Sequence, residues 1–457
     1  MKQRGVILAL DIGTTGFKLG LFDREAELVE MTNCYYPINT YDGDKADSDP
    51  ERWWAGFLDC HQRLKSSLKD VEVITMGVTT PGAMVLDREG NPLTPAVLFM
   101  DRRSPKQAQE IRDKIGEEKL LSETANLPVP GGCTASTILW WRDNLPEVYK
   151  NGHIFAHTNT FFGCRLTGKF GMDASTGSLT ALFNTTRPEK GWNLEIVREL
   201  GIPEEKLPPF VNSWEVLGTL KQDMAKKLNL KAGIPVLMGG NDVACADLSV
   251  GLSEEGKIVD IMGTCEILTT CLARPIPSPR HNIRAHVVPG RWITMFVLNT
   301  GGEAFKWFAN VFCPDMSLDS FFKEFLPETL KKFLERENKG EVLDLPRFLP
   351  YLSGDRYSVE NIWASITNLH LSHNREDILA GMVKTSMELT GQHVKELSEK
   401  VKLSEEMILT GGAINPVFIE AKRHWMGKFK YVIKEQSSLQ GCGILGKMFL
   451  EGAFKKR

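Results

Sequence analysis

The 457-residue chain lacks most of the features that assign a protein quickly. It has no Cys-x-x-Cys pair and no close cysteine–histidine cluster, so its nine cysteines suggest neither a zinc site nor a disulfide framework. No apolar run approaches the roughly 20 residues that a spanning helix needs, and no membrane partner is expected. The start, "MKQRGVILALD", reaches Asp11 too soon to supply the apolar region of a signal peptide. With an odd cysteine count, that start points to a reducing, cytoplasmic setting. The net charge is only −3, which gives no general field to draw in nucleic acid or an anionic surface. No GxxxxGK(S/T) sequence occurs, so a P-loop is excluded. Low-complexity segments and charge blocks are absent too. A small-molecule partner is the reading these absences leave.

What the chain does have is an ordinary globular composition, 42% hydrophobic and 25% charged. Its length exceeds the roughly 250 to 300 residues at which single cores stop growing, so two or three domains are expected. Strand-like and helix-like patterns alternate, which argues for an α/β architecture. "GVILALDIG" and "FKLGLFD" read as the two arms of a hairpin around "GTTG". Further strands are expected at "VITMGVTT", "IPVLMGG", "KIVDIMG" and "EMILTGG". The clearest helical periodicity runs from Asn374 to Lys395, with Asn374 and Asp377 suited to a cap and its third position. "RPIPSPRHN" reads as a proline-rich loop. "GCGILG", Gly441 to Gly446, matches GxGxxG but follows no clear strand of a βαβ unit; close helix packing through glycine is the reading it supports.

The turn in "ALDIGTTGFKLGLFD" puts an acid, hydroxyls and a lysine between two apolar strands. Glycines let a backbone approach an anion closely, and Thr14, Thr15 and Lys18 add hydroxyl donors and a positive charge. Asp11, at a strand end, could hold Mg2+, which takes one or two carboxylates plus phosphate oxygens. A tight hairpin that merely solvates its turn would look the same. The pattern returns in outline as "DIMGTCEILTTC" from Asp260, just past the middle of the chain. Two similar halves, each opening near a Gly-Thr hairpin, are the consequence. Asp242 in "GGND" follows the apparent strand Ile234 to Met238, and by itself reads equally as a general base or as the cap of the helix "VACADL". Asn415 followed by Pro416 is likewise a good cap and first-turn pair.

"LALDIGTTGFKLGLFD", "LMGGNDVACADLSVG", "IMGTCEILTT", "FLPYLSGDR" and "LTGGAINPVF" stand in the order and spacing of the FGGY family of carbohydrate kinases, which the chain resembles over nearly its whole length. The resemblance implies an α/β fold of two actin-like, ribonuclease H-like domains with an interdomain cleft for ATP and sugar. It divides the chain into an N-terminal sugar-binding and catalytic domain, residues 1–245, and a C-terminal nucleotide-binding domain, residues 246–457. The implied reaction is transfer of the ATP γ-phosphoryl group to a sugar hydroxyl, with Mg2+ as cofactor, and Asp242 matches the family's catalytic base. Thr14, Thr15 and Lys18 match a first phosphate-binding hairpin; Gly263 and Thr264 match a second. Gly302 and Lys306 match a nucleotide contact, although Lys306 stands where some members have glutamine. Gly412 and Asn415 match the adenosine motif, and Asp11 matches the Mg2+ position.

On the sugar side the chain departs from the family. Glycerol-phosphorylating members carry an arginine–glutamate pair and xylulose kinases a methionine–histidine pair where this chain has the shortened "GVTTPGAMVLD", with Thr80 near the expected contacts. "LFMDRRS" resembles the substrate segment of ketose kinases, so Asp101 is expected to accept hydrogen bonds from sugar hydroxyls and Arg102 or Arg103 to donate them. Glu266, after Gly263-Thr264, is similar to a residue of deoxyketose kinases. A small ketose, most of all a pentulose, is the expected substrate, with a polyol or sugar acid as alternatives. An actin-like ATPase or a non-catalytic sugar-sensing protein would share the hairpins. A homodimer is left open.

Overall fold

The run around Asp11 forms β1 (Ile7–Ile12), and all six of its residues are buried. A strand covered on both faces belongs in the middle of a sheet. In the computed structural model, which describes residues 5–299, 301–360 and 362–454, β1 holds that place. It pairs antiparallel with β2 (Gly16–Phe22), and β2 pairs antiparallel with β3 (Leu28–Tyr35). On its other side it pairs parallel with β4 (Val73–Val78), also buried throughout. With β5 (Val216–Thr219) and β6 (Pro235–Leu237), the order is β5-β6-β4-β1-β2-β3. The short β7 (Gly240–Asn241) pairs with the end of β4, Gly240 opposite Gly77 and Asn241 opposite Val78. That register delivers the residue after β7, Asp242, beside the residues after β4, Thr79 and Thr80.

The helix Pro50–Arg63, started by an Asp49 cap and a first-turn proline, lays Trp53, Trp54 and Phe57 against this sheet. They meet Phe17, Phe161 and Phe162 in an aromatic core. The C-terminal helix Ser438–Leu450 carries "GCGILG" and packs as the glycine reading expected. A Cβ on Gly441 would fall 1.7 Å from the carbonyl oxygen of Cys245, and one on Gly446 would fall 2.6 Å from Ile7 Cγ2. Glycine there lets the C-terminal helix lie closer to the helix Asp242–Ser249 and to the sheet than any side chain would allow.

A second sheet repeats the plan. β8 (Ile258–Met262) and β9 (Glu266–Leu272) form the antiparallel hairpin around Gly263-Thr264. With β10 (Trp292–Leu298), β11 (Glu406–Thr410) and β12 (Lys430–Ile433) the order is β10-β9-β8-β11-β12, and β8–β11 and β11–β12 are parallel. In both sheets, then, a strand that opens a Gly-Thr hairpin has its hairpin partner on one side and a parallel strand on the other. The helix Arg375–Ser398 covers the second core; Asn374 and Asp377 form the expected capping box, and Ile378, Leu379, Met382, Val383, Met387 and Val394 are buried.

By contacts the chain forms two units. The first gathers the residues up to Ser253, then Ala273–Ile293, and then the stretch from Gln436 onward; the second comprises Glu254–Leu272 and Thr294–Glu435. A single cut after Cys245, as read from the sequence, does not describe that division, because the strand Asn282–Ala285 and the C-terminal helix pack with the first unit.

Overpacking a closed interior costs about 1–3 kcal/mol. Gly441→Ala is therefore expected to lower the melting temperature by several degrees, about 2–4 °C per kcal/mol in a domain of this size. An unchanged melting curve would refute the close-packing role.

Candidate active site

In the first unit the turn after β1 is closed by the amide of Gly13 donating to Gly16 O at 2.9 Å. The phenol of Tyr36 lies 2.7 Å from Gly13 O and 2.9 Å from Gly16 O. By occupying those carbonyls Tyr36 leaves the turn richer in donors than acceptors, as an anion-binding turn requires. Sequence reasoning missed it, since a single tyrosine beyond β3 carries no motif. Thr14 Oγ1 lies 2.8 Å from Thr79 Oγ1, whereas Thr15 and Lys18 face solvent. Asp11 stands opposite Lys18 in the hairpin register, and Lys18 Nζ is 3.5 Å from its Oδ2. Burial raises the Asp11 carboxyl above its usual range and Lys18 pulls it back.

Asp242 is not the cap of its helix. The cap is Asn241, whose Oδ1 accepts from the amide of Ala244 at 3.1 Å, and Asp242 is the first residue of the helix Asp242–Ser249. Oδ1 of Asp242 accepts from its neighbour's Val243 amide at 2.8 Å and from Asn241 Nδ2 at 2.8 Å. No described residue hydrogen-bonds its other oxygen. Burial, reinforced by the negative charge of Asp11, raises its pKa to about 7 against the opposing pull of Arg284. Behind it, the Asn241 amide donates to Ser175 Oγ at 2.8 Å. Ser175 and Ser213 both bond the buried carboxylate of Asp173, so Asn241 and Asp242 rest on a buried polar scaffold.

Thr80 joins the same cluster. Its Oγ1 accepts from Asn241 Nδ2 at 2.6 Å and from Arg284 Nη1 at 2.9 Å. Arg284 is 2% exposed and sits on the strand Asn282–Ala285. Sequence reasoning missed it as well; a cation inside the short apolar run Ile283–Ala285 was the available signal. Asp101 corrects an expectation. Fully buried, it accepts from the Ala46 amide at 2.7 Å, the Arg103 amide at 2.9 Å and Arg103 Nε at 2.8 Å. Arg103 also reaches Asp47 at 2.9 Å and lies over the rings of Tyr41 and Trp140. Asp101 and Arg103 are thus committed largely to each other and to the scaffold, with both carboxylate oxygens of Asp101 engaged by donors of its own chain. The amide of Arg102 donates to Asp44 O at 2.7 Å.

In the second unit one cavity of about 510 Å³ is lined by Gly263, Thr264, Gly302, Lys306, Gly412 and Asn415, the six residues that the sequence assigns to ATP there. Phe305, Phe322 and Phe418 add aromatic wall. A space of that size, lined by glycines and aromatic side chains, is large enough for a nucleotide. The amide of Gly302 donates to Gly263 O at 2.8 Å, which ties the hairpin to the start of the helix Gly302–Phe312. Lys306 pairs with Glu303 at 3.2 Å. Asn415 caps the helix Pro416–Trp425, accepting from the Val417 amide at 3.0 Å, and it lines the cavity. Asp260, the counterpart of Asp11 in the sequence echo, is fully buried and ion-paired with Lys422 at 2.7 Å. Lys422 binds Glu266 too, at 2.6 Å. One oxygen of Glu266 is thereby taken up by an internal pair.

A model of the FGGY family of carbohydrate kinases, N-terminal domain, matches residues 6–249. The xylulose kinase of Lactococcus lactis subsp. lactis (strain IL1403) is 26% identical over 419 residues, 90% of this chain and 81% of that one. The gluconokinase of Bacillus subtilis (strain 168) is 23% identical over 385 residues, 82% of this chain and 73% of that one. Among solved structures, the xylulose kinase from Rhodospirillum rubrum superposes with a TM-score of 0.86 at 20% identity, covering 99% of this chain and 91% of the other. The chain belongs to the FGGY family of carbohydrate kinases, with the two-domain actin-like α/β fold of that family. It is a carbohydrate kinase, and its substrates are ATP and a sugar. No helix among the described residues is long and apolar enough to cross a membrane.

A carboxyl whose pKa is raised on folding opposes folding once pH exceeds its unfolded value, and fully so above its folded value. Asp242→Asn removes that cost. Its melting temperature relative to the parent chain should rise as pH is taken from about 4 to 8, and a pH-independent difference in parallel thermal melts would show that Asp242 is not held in a raising environment.

Proposed function

We propose that this kinase phosphorylates a hydroxyl of a ketose, with a pentulose as the favoured class, and that Asp242 is the general base. The observation that carries the reading is the pairing in Asp242 of a raised pKa, near 7, with an oxygen that no described residue occupies. A base poised near the working pH is the most effective kind. In the step, the sugar O–H bond breaks and its proton passes to Asp242. The sugar oxygen bonds to the γ-phosphorus, the bond to the β,γ-bridging oxygen breaks, and ADP leaves. Little covalent work falls to the protein, so positioning and charge dominate.

Thr14, Thr15 and Lys18 take phosphate oxygens at the first hairpin, Gly263 and Thr264 at the second, and Gly302, Lys306, Gly412 and Asn415 receive the nucleoside. Asp11 fits a Mg2+ ion: it is a hard carboxylate at the phosphate turn, only loosely engaged by Lys18 at 3.5 Å, and such ions ask for one or two carboxylates plus phosphate oxygens. When bound, the ion would neutralise phosphate charge. Thr80 and Arg102 are the sugar contacts of this reading, and Asp101 supports them from behind. Relatives named xylulose kinase favour a ketose; the similarity to a gluconokinase keeps a sugar acid as the second reading. Nine free cysteines fit a reducing cytoplasm, where ATP is also present.

A panel of ketoses, polyols and sugar acids, screened for ADP release with Mg-ATP, tests the substrate class. Asp242→Asn should lower kcat by about 10²–10⁴; turnover within a few-fold of the parent would remove Asp242 from the role. In the parent, kcat/KM should rise with pH as Asp242 loses its proton, with a midpoint near 7, and a profile flat from pH 5 to 9 would contradict the assignment. Lys18→Ala should raise the KM for ATP while sparing that for the sugar, and equal KM values for ATP in variant and parent would count against the phosphate role.

A further inference from the structure

The hydroxyl of Thr80 has its direction imposed on it. Asn241 Oδ1 accepts from the Ala244 amide, so its Nδ2 is the donating end, and that nitrogen reaches both Thr80 Oγ1 at 2.6 Å and Asp242 Oδ1 at 2.8 Å. Arg284, which can only donate, reaches the same Thr80 oxygen at 2.9 Å. Two donors therefore occupy both lone pairs of Thr80 Oγ1. Its own O–H is left as a donor, and none of the described residues accepts from it. Thr80 is only 4% exposed, and a buried hydroxyl proton without an acceptor is a group waiting for one. The guanidinium beside the oxygen strengthens it as a donor.

We propose that Thr80, held as an obligate donor by Asn241 and Arg284, is a specificity-determining residue that donates to an acceptor-only oxygen of the sugar, the carbonyl of an open-chain ketose. This rests on the kinase reading above and deepens it. A carbonyl oxygen accepts and brings no proton. A secondary hydroxyl in its place brings a proton that must find an acceptor, and Thr80 has no lone pair to offer. Arg284 and Asn241 Nδ2 are donors as well, and the free oxygen of Asp242 is reserved for the hydroxyl that reacts. The shortened "TTPGAM" loop, which carries neither the glycerol nor the xylulose signature, thus reads one functional group by the direction of one hydrogen bond. Arg284 acts through Thr80 and is a positioning residue.

The test uses the full chain and matched pairs of substrates: the pentuloses, and the pentitols that differ from them only by reduction of the carbonyl. kcat/KM is measured from ADP release, and a thermal melt confirms that each variant is folded. The parent should prefer its ketose to the corresponding pentitol by about 100-fold or more, since a site built around one hydrogen bond rejects the analogue that cannot complete it. Thr80→Val, which keeps the shape and removes the O–H, should lower kcat/KM for the ketose by about 10- to 100-fold and leave that for the pentitol nearly unchanged. Thr80→Ser should restore most of the preference. Arg284→Met, which frees one lone pair of Thr80, should shrink the ketose-to-pentitol ratio without changing the KM for ATP. A parent that uses ketose and pentitol alike, or a ratio that stays within about threefold in the Thr80→Val and Arg284→Met chains, would overturn the proposal while leaving the kinase reading intact. A parent that turns over only sugar acids, or no sugar at all, would overturn the pentulose reading itself and this proposal with it. Where Thr80→Val does not fold, Thr80→Ser and Arg284→Met decide the matter by the same ratio.

Discussion

The side-chain amide of Asn241 is the constraint on which the first unit's chemistry depends. One end caps the helix that begins at Asp242; the other donates to the Asp242 carboxylate and to the Thr80 hydroxyl. A capping bond is ordinarily a device of stability, worth about 1 kcal/mol. Here it also settles which end of the amide is the donor, and through that the side on which Asp242 keeps a free oxygen and the direction in which Thr80 offers its proton. The backbone N–H of Asn241 in turn donates to Ser175, which Asp173 holds. Asp242 is positioned by a chain of short side chains, each with few rotamers, and the residues that follow Thr80 and Pro81 run into a buried strand, Gly82–Leu86.

The two hairpins show how one folding pattern was put to two uses. Each places an aspartate on the strand that leads into a Gly-Thr turn. Asp11 has a lysine at 3.5 Å, itself about half exposed, and the Ser438 hydroxyl beside it. Asp260 is sealed in with Lys422, whose ammonium also satisfies Glu266. A buried carboxylate must be paired or it destabilises the fold, and pairing it withdraws it from ligands. The second hairpin is therefore left with glycine and threonine at its cavity, whereas the carboxylate of the first is less tightly paired.

A good part of this was legible along the chain. Strand identity at Asp11, Gly77, Asp260 and Thr410 was readable because buried strands are runs of apolar residues. The helix from Asn374 was readable because its capping box and its 3.6-residue period agree. The six cavity residues of the second unit fell out of glycine-rich motifs, since glycine is needed wherever backbone must approach a ligand. Tyr36 and Arg284 were not legible. Each acts by one hydrogen bond across the fold, at a sequence distance of 20 residues or more from its partner, and a single residue of common type leaves no pattern. Asp101 was misread for the opposite reason: a motif announces that a carboxylate matters, but not whether its oxygens face a ligand or an arginine of its own chain.

The sequence by itself determined the class of fold, the duplication and the kind of reaction, because those depend on local periodicity and on short motifs whose parts are neighbours in the chain. Only the tertiary structure decided which carboxylates are free and which are spent, that Asn241 and not Asp242 caps the helix, and which way the Thr80 hydroxyl points. Those properties belong to pairs of groups that the chain brings together from far apart, and a hydrogen bond or an ion pair exists only once both partners are in place.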